Sequence, residues 1–292
     1  MIIINLKGGL GNQMFQYAAA RSLSLKLNAR LKLDTSFLSD HSPHEHFTLR
    51  DYELDIFTFP QPIATQKELD KFFKIPFSGK RFDKLQQSLN HYHIFREKHF
   101  HFNRDFFNQG KNTFLDGYFQ SEKYFKMFES QIRQDFSFNC QLNEYNQKMI
   151  DLIQHTNSVA VHFRRKDYIS NPITNKAHGV CSMEYYKNAL QIIEKNVSNP
   201  SFFIFSDDIA WVKENWKFNF PVTFIENQNV QSSVDLYLMS TCKHFVIANS
   251  SFSWWGAWLS VNKNKNVIAP IKWFNDNHAD TKDLYLKSWI KI

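Results

Sequence analysis

The residues with the clearest chemical potential in this 292-residue chain are two adjacent arginines, Arg164 and Arg165, in the stretch HFRRKDY. Guanidinium groups are planar and permanently charged, and they bind phosphate oxygens through paired hydrogen bonds. Further along the chain, Asn249, Ser250 and Ser251 offer amide, hydroxyl and backbone N–H donors where a helix is expected to begin. A helix start of this kind is a natural anion site. Together the two stretches indicate an anionic ligand.

Carboxylates accompany both stretches. Asp167 lies inside the arginine stretch and could orient an arginine or accept a proton. Asp235 falls in a helical pattern ahead of the two serines, where its carboxylate could accept the paired N–H groups of a guanine edge. Asp207 and Asp208 follow an apolar run, and they could contact a ligand or cap a helix.

Short apolar runs precede these polar stretches and predict the elements that position them. In the C-terminal half they cover residues 158–163, 202–205, 222–225, 245–248 and 267–269, with helical patterns between them. The runs lack alternation, which is typical of parallel strands covered on both faces. Residues 2–6 and 30–34 read as strands around a helix at 13–27, and a polar glycine-rich stretch, GGLGNQ at residues 8–13, follows the first strand.

This alternation predicts an α/β fold of two Rossmann-like domains that face a central cleft, with ligands at the carboxyl ends of the strands. We place the boundary in the polar stretch 140–157, which gives domains 1–152 and 153–292. Residues 41–138 are rich in Phe, His and Lys, and their pattern predicts no clear elements.

Histidines cluster three times in the N-terminal half, but they do not predict a metal site. Their spacing fits no standard zinc pattern, no set of Cys or carboxylate partners is repeated from one cluster to the next, and the chain contains no Asp-x-Asp motif. We therefore expect no metal and no cofactor. The clusters are His41, His44 and His46; His91 and His93; and His99 and His101.

The composition is that of a globular protein, with 43% hydrophobic and 22% charged residues. The formal charge of +7 fits either a solvated basic surface or contact with an anionic ligand or an acidic membrane face. Three scattered cysteines, Cys140, Cys181 and Cys242, suit a reducing compartment. No apolar run has the length of a signal peptide or a membrane span. The expected location is the cytoplasm, with the inner membrane face as an alternative.

Four stretches in this order, GGLGNQMFQYA, DGYFQSEKYF, HFRRKDY and NSSFSWWGAWL, resemble the bacterial alpha-1,2-fucosyltransferases of glycosyltransferase family 11. The resemblance runs from Ile4 to about Trp273. It implies the two-domain GT-B fold, with the C-terminal domain as the GDP-fucose-binding domain and the N-terminal domain on the acceptor side. It also implies metal-independent, inverting transfer of L-fucose from GDP-L-fucose to the 2-hydroxyl of a terminal galactose in an oligosaccharide.

The resemblance also implies roles for individual residues. Arg164 is similar to the arginine that grips the donor diphosphate, and Asp235 to the aspartate that reads guanine. The remaining donor-side residues are Gly9, Asn12, Gln13, His162, Arg165, Asp207, Asp208, Asn249, Ser250 and Ser251; the acceptor-side residues are Tyr118, Gln120, His178 and Trp254.

The catalytic base stays open at this stage. Some related fucosyltransferases carry a glutamate a few residues beyond the arginine motif, whereas residues 169–173 here read ISNPI and contain no carboxylate. Asp167 or His178 could take the role, or a loose transition state could need little help from a base.

Two other functions compete with this interpretation. Gly9-x-Gly11 after a strand, with Asp34 ending the next strand, partly imitates the fingerprint of a nicotinamide-dinucleotide oxidoreductase, but Met14 occupies the third glycine position. A non-catalytic carbohydrate-binding or nucleic-acid-binding module would place its basic residues in one stripe. Because the arginine and serine stretches are expected to converge on a cleft instead, we expect a transferase that does not bind nucleic acid.

Overall fold

A computed structural model describes residues 1–40, 50–60, 62–73, 92–139, 141–226, 232–275 and 279–292. These residues form two compact units. Unit 1 takes the described residues up to Ser137 together with Ala279–Tyr285, and unit 2 takes those at 138–275 and at Leu286–Ile292. His41, His44, His46, His91 and Cys140 lie outside the described residues.

Unit 1 is built on a parallel sheet with the strand order β2-β1-β4-β3. Its register places Ile3 of β1 opposite Lys32 of β2 on one side and Phe114 of β4 on the other. The strands are β1 Ile2–Asn5, β2 Leu31–Asp34, β3 His93–Arg96 and β4 Thr113–Asp116, and the helices are α1 Leu10–Leu27, α2 Ser36–Ser39, α3 Gln66–Phe73 and α4 Glu129–Asp135.

Helix α1 begins at the glycine-rich stretch and ends at Asn28, whose left-handed backbone (φ 46°) closes the helix. Its small residues at 18–20 are fully buried, so the helix lies directly in the core. Aromatic rings fill the rest of that core. They pack around Tyr17 and Phe136 in one cluster, and around Phe106 and Tyr124 in another. The Phe-rich region 41–138, whose sequence pattern predicts no clear elements, in fact contains α3, β3, β4 and α4. Its buried rings lie on these short elements and on the 3-10 turns between them.

Unit 2 is built on a larger parallel sheet with the strand order β10-β9-β8-β5-β6-β7. The predicted apolar runs all become strands of this sheet, so the expected Rossmann-like α/β class is confirmed. The strands are β5 Asn157–Phe163, β6 Pro200–Ser206, β7 Val222–Phe224, β8 His244–Val246, β9 Val267–Ala269 and β10 Ile290–Lys291. The helices are α5 Glu144–His155, α6 Lys166–Ser170, α7 Pro172–His178, α8 Met183–Asn196, α9 Ile209–Asn215, α10 Ser232–Thr241 and α11 Ser251–Leu259.

The division between the units differs from the predicted boundary between residues 152 and 153. Helix α5 belongs to unit 2 because Tyr145 ties it to the end of β7, where its hydroxyl donates to Phe224 O (3.4 Å) and accepts from Glu226 N (3.1 Å). Near the other end of the chain, Asp283 returns to unit 1. Its carboxylate accepts from Phe102 N (3.1 Å) and its carbonyl accepts from Ser121 Oγ (2.6 Å). The polar composition of residues 140–157 thus reflects an exposed helix face as well as a boundary.

The tryptophans of α11 are core residues. Trp254 is fully buried, with Trp255 (5.1 Å between centroids), Trp258 (6.4 Å) and Trp289 (5.5 Å) around it. A side chain with no exposed surface has no face to offer a sugar, so the expected acceptor contact of Trp254 is wrong. The helix is apolar because residues 253–258 of it are buried.

None of the helices within the described residues is long and apolar enough to cross a bilayer.

Trp254→Ala should lower the free energy of unfolding by about 3–5 kcal/mol, because it leaves a cavity among three other indoles. The change should be measured by urea denaturation. Trp254→Phe should cost less because a ring remains. As a control, Val261→Ala removes an apolar side chain just past the same helix that is 89% exposed, and it should change the stability by no more than about 0.5 kcal/mol. Equal stability of Trp254→Ala and Val261→Ala would contradict the core assignment.

Candidate active site

The chain order of unit 2 creates a crevice at the carboxyl ends of β5 and β8. From β5 the chain proceeds to β6 and β7 on one side, and it then returns to place β8, β9 and β10 on the other side. Such a switch in direction leaves the loops after the two central strands pointing apart, which opens the usual ligand site of an α/β sheet. Arg164 follows β5 here, and Ser250 precedes α11 after β8. The fold therefore brings the two predicted anion-binding stretches to the carboxyl ends of two neighbouring strands.

Arg164 is held from two sides. Its Nη1 lies 3.3 Å from Asp207 Oδ2, and its guanidinium carbon lies 5.6 Å from the ring centroid of Tyr168. The Tyr168 ring in turn stacks on His178, with 4.9 Å between centroids and 15° between planes. About a fifth of the Arg164 side chain is exposed. The result is a pre-positioned cation at the strand end that solvent can reach.

Asp207 shapes the turn that carries this arginine. One carboxylate oxygen accepts the N–H of Arg165 (2.9 Å), and the other accepts the N–H of Lys166 (3.1 Å). Asp208 caps α9 by accepting the N–H of Trp211 (3.4 Å). Of the two roles that the sequence leaves open, the geometry favours support and capping over ligand contact for both aspartates.

Arg165 differs from its neighbour. Its guanidinium carbon lies 3.2 Å from the centroid of the Trp211 ring, and its Nε lies 3.9 Å from Asp208 Oδ2. A guanidinium stacked on an indole is attracted by the ring's electron density. Arg165 thus anchors the turn to α9, and the geometry favours this anchoring over the predicted donor contact.

His162 is the first residue of the HFRRKDY stretch; it lies inside β5, and it is buried. Burial, and after it the nearby Arg164 charge, lowers the pKa of His162 to about 3. The imidazole is therefore neutral at physiological pH, so it cannot neutralise a phosphate. The backbone carbonyl of His162 accepts a hydrogen bond from the hydroxyl of Tyr186 (2.9 Å).

Asn249 is a structural hub. Its amide nitrogen donates to the carbonyls of His178 (3.0 Å), Gly179 (3.2 Å) and Trp273 (3.2 Å), and its amide oxygen accepts from the thiol of Cys181 (3.5 Å). A buried amide engaged in this way has no donor left for a ligand. The geometry therefore corrects its predicted direct contact to a positioning role.

The start of α11 keeps the character of an anion site. Ser250 is the N-cap, and no side-chain cap hydrogen bond is made there within the described residues. Ser251 is the first helical residue and is partly exposed. The backbone N–H groups of a first helical turn have no partners within the helix, and the helix dipole favours negative charge beside them. These donors and Arg164 are what the crevice offers an anion.

The remaining predicted site residues of unit 2 lie on three different helices. Asp167 lies in α6, and its side chain falls outside what the structure describes. Asp235 is partly buried in the first turn of α10. His178 ends α7, with its ring between Tyr168 and Phe274 (5.1 Å). Among the described residues, no group of three His, Cys, Asp or Glu side chains is arranged to hold a metal ion.

Unit 1 contains a second crevice of the same type, between β1 and its neighbour β4. Gly8 follows β1 with φ +75°, and a Cβ at that position would lie 2.5 Å from the amide nitrogen of Asn12. At Gly9 the nearest atom would be at an ordinary 3.8 Å. Of the two glycines, Gly8 is therefore the one whose surroundings leave no room for a side chain, and the donor contact of Gly9 stays a prediction. Asn12 accepts a hydrogen bond from Gln120 Nε2 (2.7 Å), which links the first turn of α1 to the loop after β4.

Gln13 serves the fold instead of a ligand. It is fully buried, its amide nitrogen donates to Gly8 O and Asp51 O (both 2.8 Å), and its oxygen accepts from Glu53 N (3.0 Å). The geometry thus favours a role in joining α1 to residues 51–53 over the predicted donor contact.

The loop after β4 is held by a residue that the sequence does not single out. Glu97 accepts the backbone N–H groups of Tyr118 (2.7 Å) and Phe119 (3.1 Å). Burial raises the pKa of Glu97 to about 7, although these hydrogen bonds and Lys7 oppose the shift. Lys7 itself pairs with Asp116 (2.8 Å) and lies 5.0 Å from the ring centroid of Tyr118. The available sequence signal is weak: Glu97 comes two residues after a short apolar pair, Ile94 and Phe95, in a region without a readable period.

The whole chain, residues 1–292, matches the family model of glycosyl transferase family 11. It belongs to glycosyltransferase family 11. An alpha-1,2-colitosyltransferase of Escherichia coli is 35% identical over 305 residues, which cover 100% of this chain and 99% of that enzyme. The galactoside 2-alpha-L-fucosyltransferase SEC1 of Bos taurus is 27% identical over 270 residues, covering 88% of this chain and 64% of that protein.

The crystal structure of a mutant of Arabidopsis thaliana FUT1 in complex with GDP superimposes with a TM-score of 0.50 at 11% identity, covering 95% of this chain and 71% of that one. At this identity the likeness concerns the fold alone. The resemblance seen in the sequence is thus confirmed at the level of the family, the GT-B fold class and glycosyltransferase activity. The dinucleotide oxidoreductase and the non-catalytic module are ruled out as descriptions of this family 11 chain.

The low pKa of His162 predicts an acid-sensitive fold. Between pH 6.5 and about 3 the unfolded chain binds a proton at this residue that the folded chain does not. The free energy of unfolding should therefore fall as the pH falls through that window, by up to about 1.4 kcal/mol per pH unit. His162→Gln should reduce this slope in urea denaturation between pH 4 and 6.5.

The matched control is His155→Gln, which removes a histidine exposed at the end of α5. If the pH slope is the same in His162→Gln and in the parent, the assignment of a neutral buried imidazole is wrong.

Proposed function

We propose that this family 11 enzyme transfers L-fucose from GDP-L-fucose to the 2-hydroxyl of a terminal galactose, with inversion at the anomeric carbon and without a metal ion. We assign donor binding to unit 2 and acceptor binding to unit 1. The proposal rests chiefly on Arg164 and the start of α11, which lie at the switch point of the unit 2 sheet. A diphosphate needs positive potential there, and both features supply it.

The reaction makes one bond and breaks one. The acceptor 2-hydroxyl oxygen bonds to the anomeric carbon of fucose on the face opposite the diphosphate, and the bond from that carbon to the β-phosphate oxygen breaks. GDP leaves with the electron pair, and the hydroxyl proton passes to a base. Asp167 and His178 are the candidates for the base, and a loose transition state that needs little base is the third possibility.

The guanine end of the donor is assigned to Asp235, which is partly buried in the first turn of α10. A carboxylate can accept the two parallel N–H groups of guanine, while an adenine edge does not present that pair. The cytoplasm stays the proposed location because Cys181 and Cys242 are both thiols, as expected in a reducing compartment.

Arg164 should contribute most of the charge stabilisation in the transition state. Negative charge grows on the β-phosphate as the sugar–oxygen bond breaks, so a cation placed there binds the transition state more tightly than the ground state. Arg164→Ala should therefore cost about 3–4 kcal/mol, or roughly a hundred- to thousandfold in kcat/KM, by analogy with the loss of an oxyanion donor. The measurement is steady-state kinetics with GDP-fucose and a galactoside, with circular dichroism to check the fold.

Arg164→Lys should recover only a small part of this loss, because an ammonium is one point charge without the planar fork. Arg133→Ala is the matched control, since Arg133 pairs with Glu129 on the surface of α4 in unit 1. A lysine variant near parental activity would show that charge alone matters. An active Arg164→Ala variant would overturn the donor assignment.

Activity should survive EDTA. If Arg164 and the N–H donors of α11 neutralise the leaving diphosphate, a divalent cation is not needed for that task. Transfer rates measured with and without excess chelator should agree within error. Loss of most activity, restored by Mg²⁺ or Mn²⁺, would contradict this.

The donor sugar has one specific competitor, because the E. coli relative is named for colitose, a deoxy analogue of L-fucose. The deciding experiment offers the pure enzyme GDP-L-fucose and GDP-colitose separately, with a panel of galactosides. Faster transfer from GDP-L-fucose, with the product linked at the galactose 2-hydroxyl and inverted, supports the proposal. Preference for GDP-colitose would redirect the donor assignment, and transfer to another hydroxyl would overturn the acceptor assignment.

A further inference from the structure

The loop after β4, residues 117–120, has a backbone that needs outside support. Phe119 adopts φ +52°, a left-handed conformation that side chains disfavour, and yet its ring is fully buried. A left-handed backbone conformation costs energy in a residue with a side chain, and it persists only where neighbouring groups hold it in place. Contacts from other residues must therefore stabilise this conformation of Phe119.

Glu97 provides that support. Its carboxylate accepts the N–H of Tyr118 through one oxygen (2.7 Å) and the N–H of Phe119 through both (3.1 Å each). The Tyr124 hydroxyl also hydrogen bonds to it. The strand end and the loop are so close that a Cβ on Gly117 would lie 2.5 Å from the Glu97 Cβ. The glycine is therefore what lets the carboxylate reach its two amides.

The loop then presents Gln120 to the crevice between β1 and β4. Gln120 is more than nine-tenths buried, and its amide nitrogen donates to Asn12 Oδ1 (2.7 Å). Its amide oxygen is also buried, yet it has no hydrogen-bond partner in the part of the chain that the structure describes. A buried acceptor without a partner is costly, and a sugar hydroxyl is a donor that could satisfy it.

We propose that Glu97 is a positioning residue for the acceptor: it fixes the loop 117–120 so that Gln120, which is held by Asn12, meets a hydroxyl of the acceptor sugar. This rests on the proposed function, in which unit 1 binds the acceptor. Glu97 itself touches the loop backbone and not the substrate, so its effect should appear in acceptor binding and orientation.

Two substitutions separate the effect of the length of the Glu97 side chain from the effect of its charge. Glu97→Gln keeps the length of the side chain and one accepting oxygen, while it removes the charge. Glu97→Asp keeps the charge but withdraws both oxygens from the two amides. If positioning is the role, Glu97→Asp should raise the acceptor KM by about tenfold or more, and Glu97→Gln should raise it less. The affinity for GDP, measured by calorimetry, should stay at the parental value in both variants.

The control is Glu68→Asp. Glu68 also accepts a backbone N–H in unit 1, from Thr65 (2.9 Å), and pairs with Lys32 (2.9 Å), but it lies on α3. Shortening it should lower the melting temperature and leave the acceptor KM unchanged. A structural role alone for Glu97 predicts the same result for Glu97→Asp, and that result would overturn the proposal. A larger KM defect in Glu97→Gln than in Glu97→Asp would also overturn it, because charge would then be the cause.

Amide hydrogen exchange tests the same inference without the transfer reaction. The amides of Tyr118 and Phe119 should exchange about tenfold faster or more in Glu97→Asp than in the parent, as expected when their acceptor is withdrawn. Unchanged exchange would overturn the positioning role, whatever the enzyme transfers. If the parent transfers no sugar to any galactoside, the proposed function fails, while the exchange result still decides whether Glu97 holds the loop.

Discussion

The unit 2 site depends on one carboxylate that accepts two consecutive backbone N–H groups. Asp207, at the end of β6, binds the amides of Arg165 and Lys166 across the sheet edge and also contacts the Arg164 guanidinium. Without this carboxylate, the backbone N–H groups of Arg165 and Lys166 would lack their acceptor, and the long side chain of Arg164 would lose one of the contacts that hold it. The guanidinium can act on a leaving group only if its place is set beforehand, because immobilising it during the reaction would cost entropy.

The same device recurs in unit 1. Glu97 follows the strand beside β4, as Asp207 follows the strand beside β5, and each binds successive amides of the neighbouring loop. In both sheets that loop borders the switch point. Beyond the end of a parallel strand, the backbone N–H groups have no neighbouring strand to accept their hydrogen bonds. A single carboxylate that follows the adjacent strand can accept two of them and so order the loop. The two units thus solve one physical problem identically, although their loops carry different chemistry.

The sequence predicts unit 2 well because its strands are covered on both faces and read as unbroken apolar runs. The crevice follows from strand order, and residue type and position alone predict that Arg164 and Ser250 lie at its edge, as the structure shows. The failures share a cause. Asn249, Gln13 and Trp254 look like ligand contacts by type, but each has partners that are distant in the chain, and only the fold shows that these partners already engage or bury them. Glu97 could not be found because its partners are backbone amides, which have no sequence signature.

The return of Asp283 to unit 1 has a consequence for how the protein is made. Phe102 and Ser121 lack this native partner until the ribosome has synthesised residue 283, which lies 181 and 162 residues further along the chain. Domains usually complete their folding in order during translation, but unit 1 cannot acquire all its native contacts before the sheet of unit 2 is nearly complete. Unit 1 therefore gains its last contacts, at Phe102 and Ser121, only after a segment that follows β9 in the chain has been synthesised.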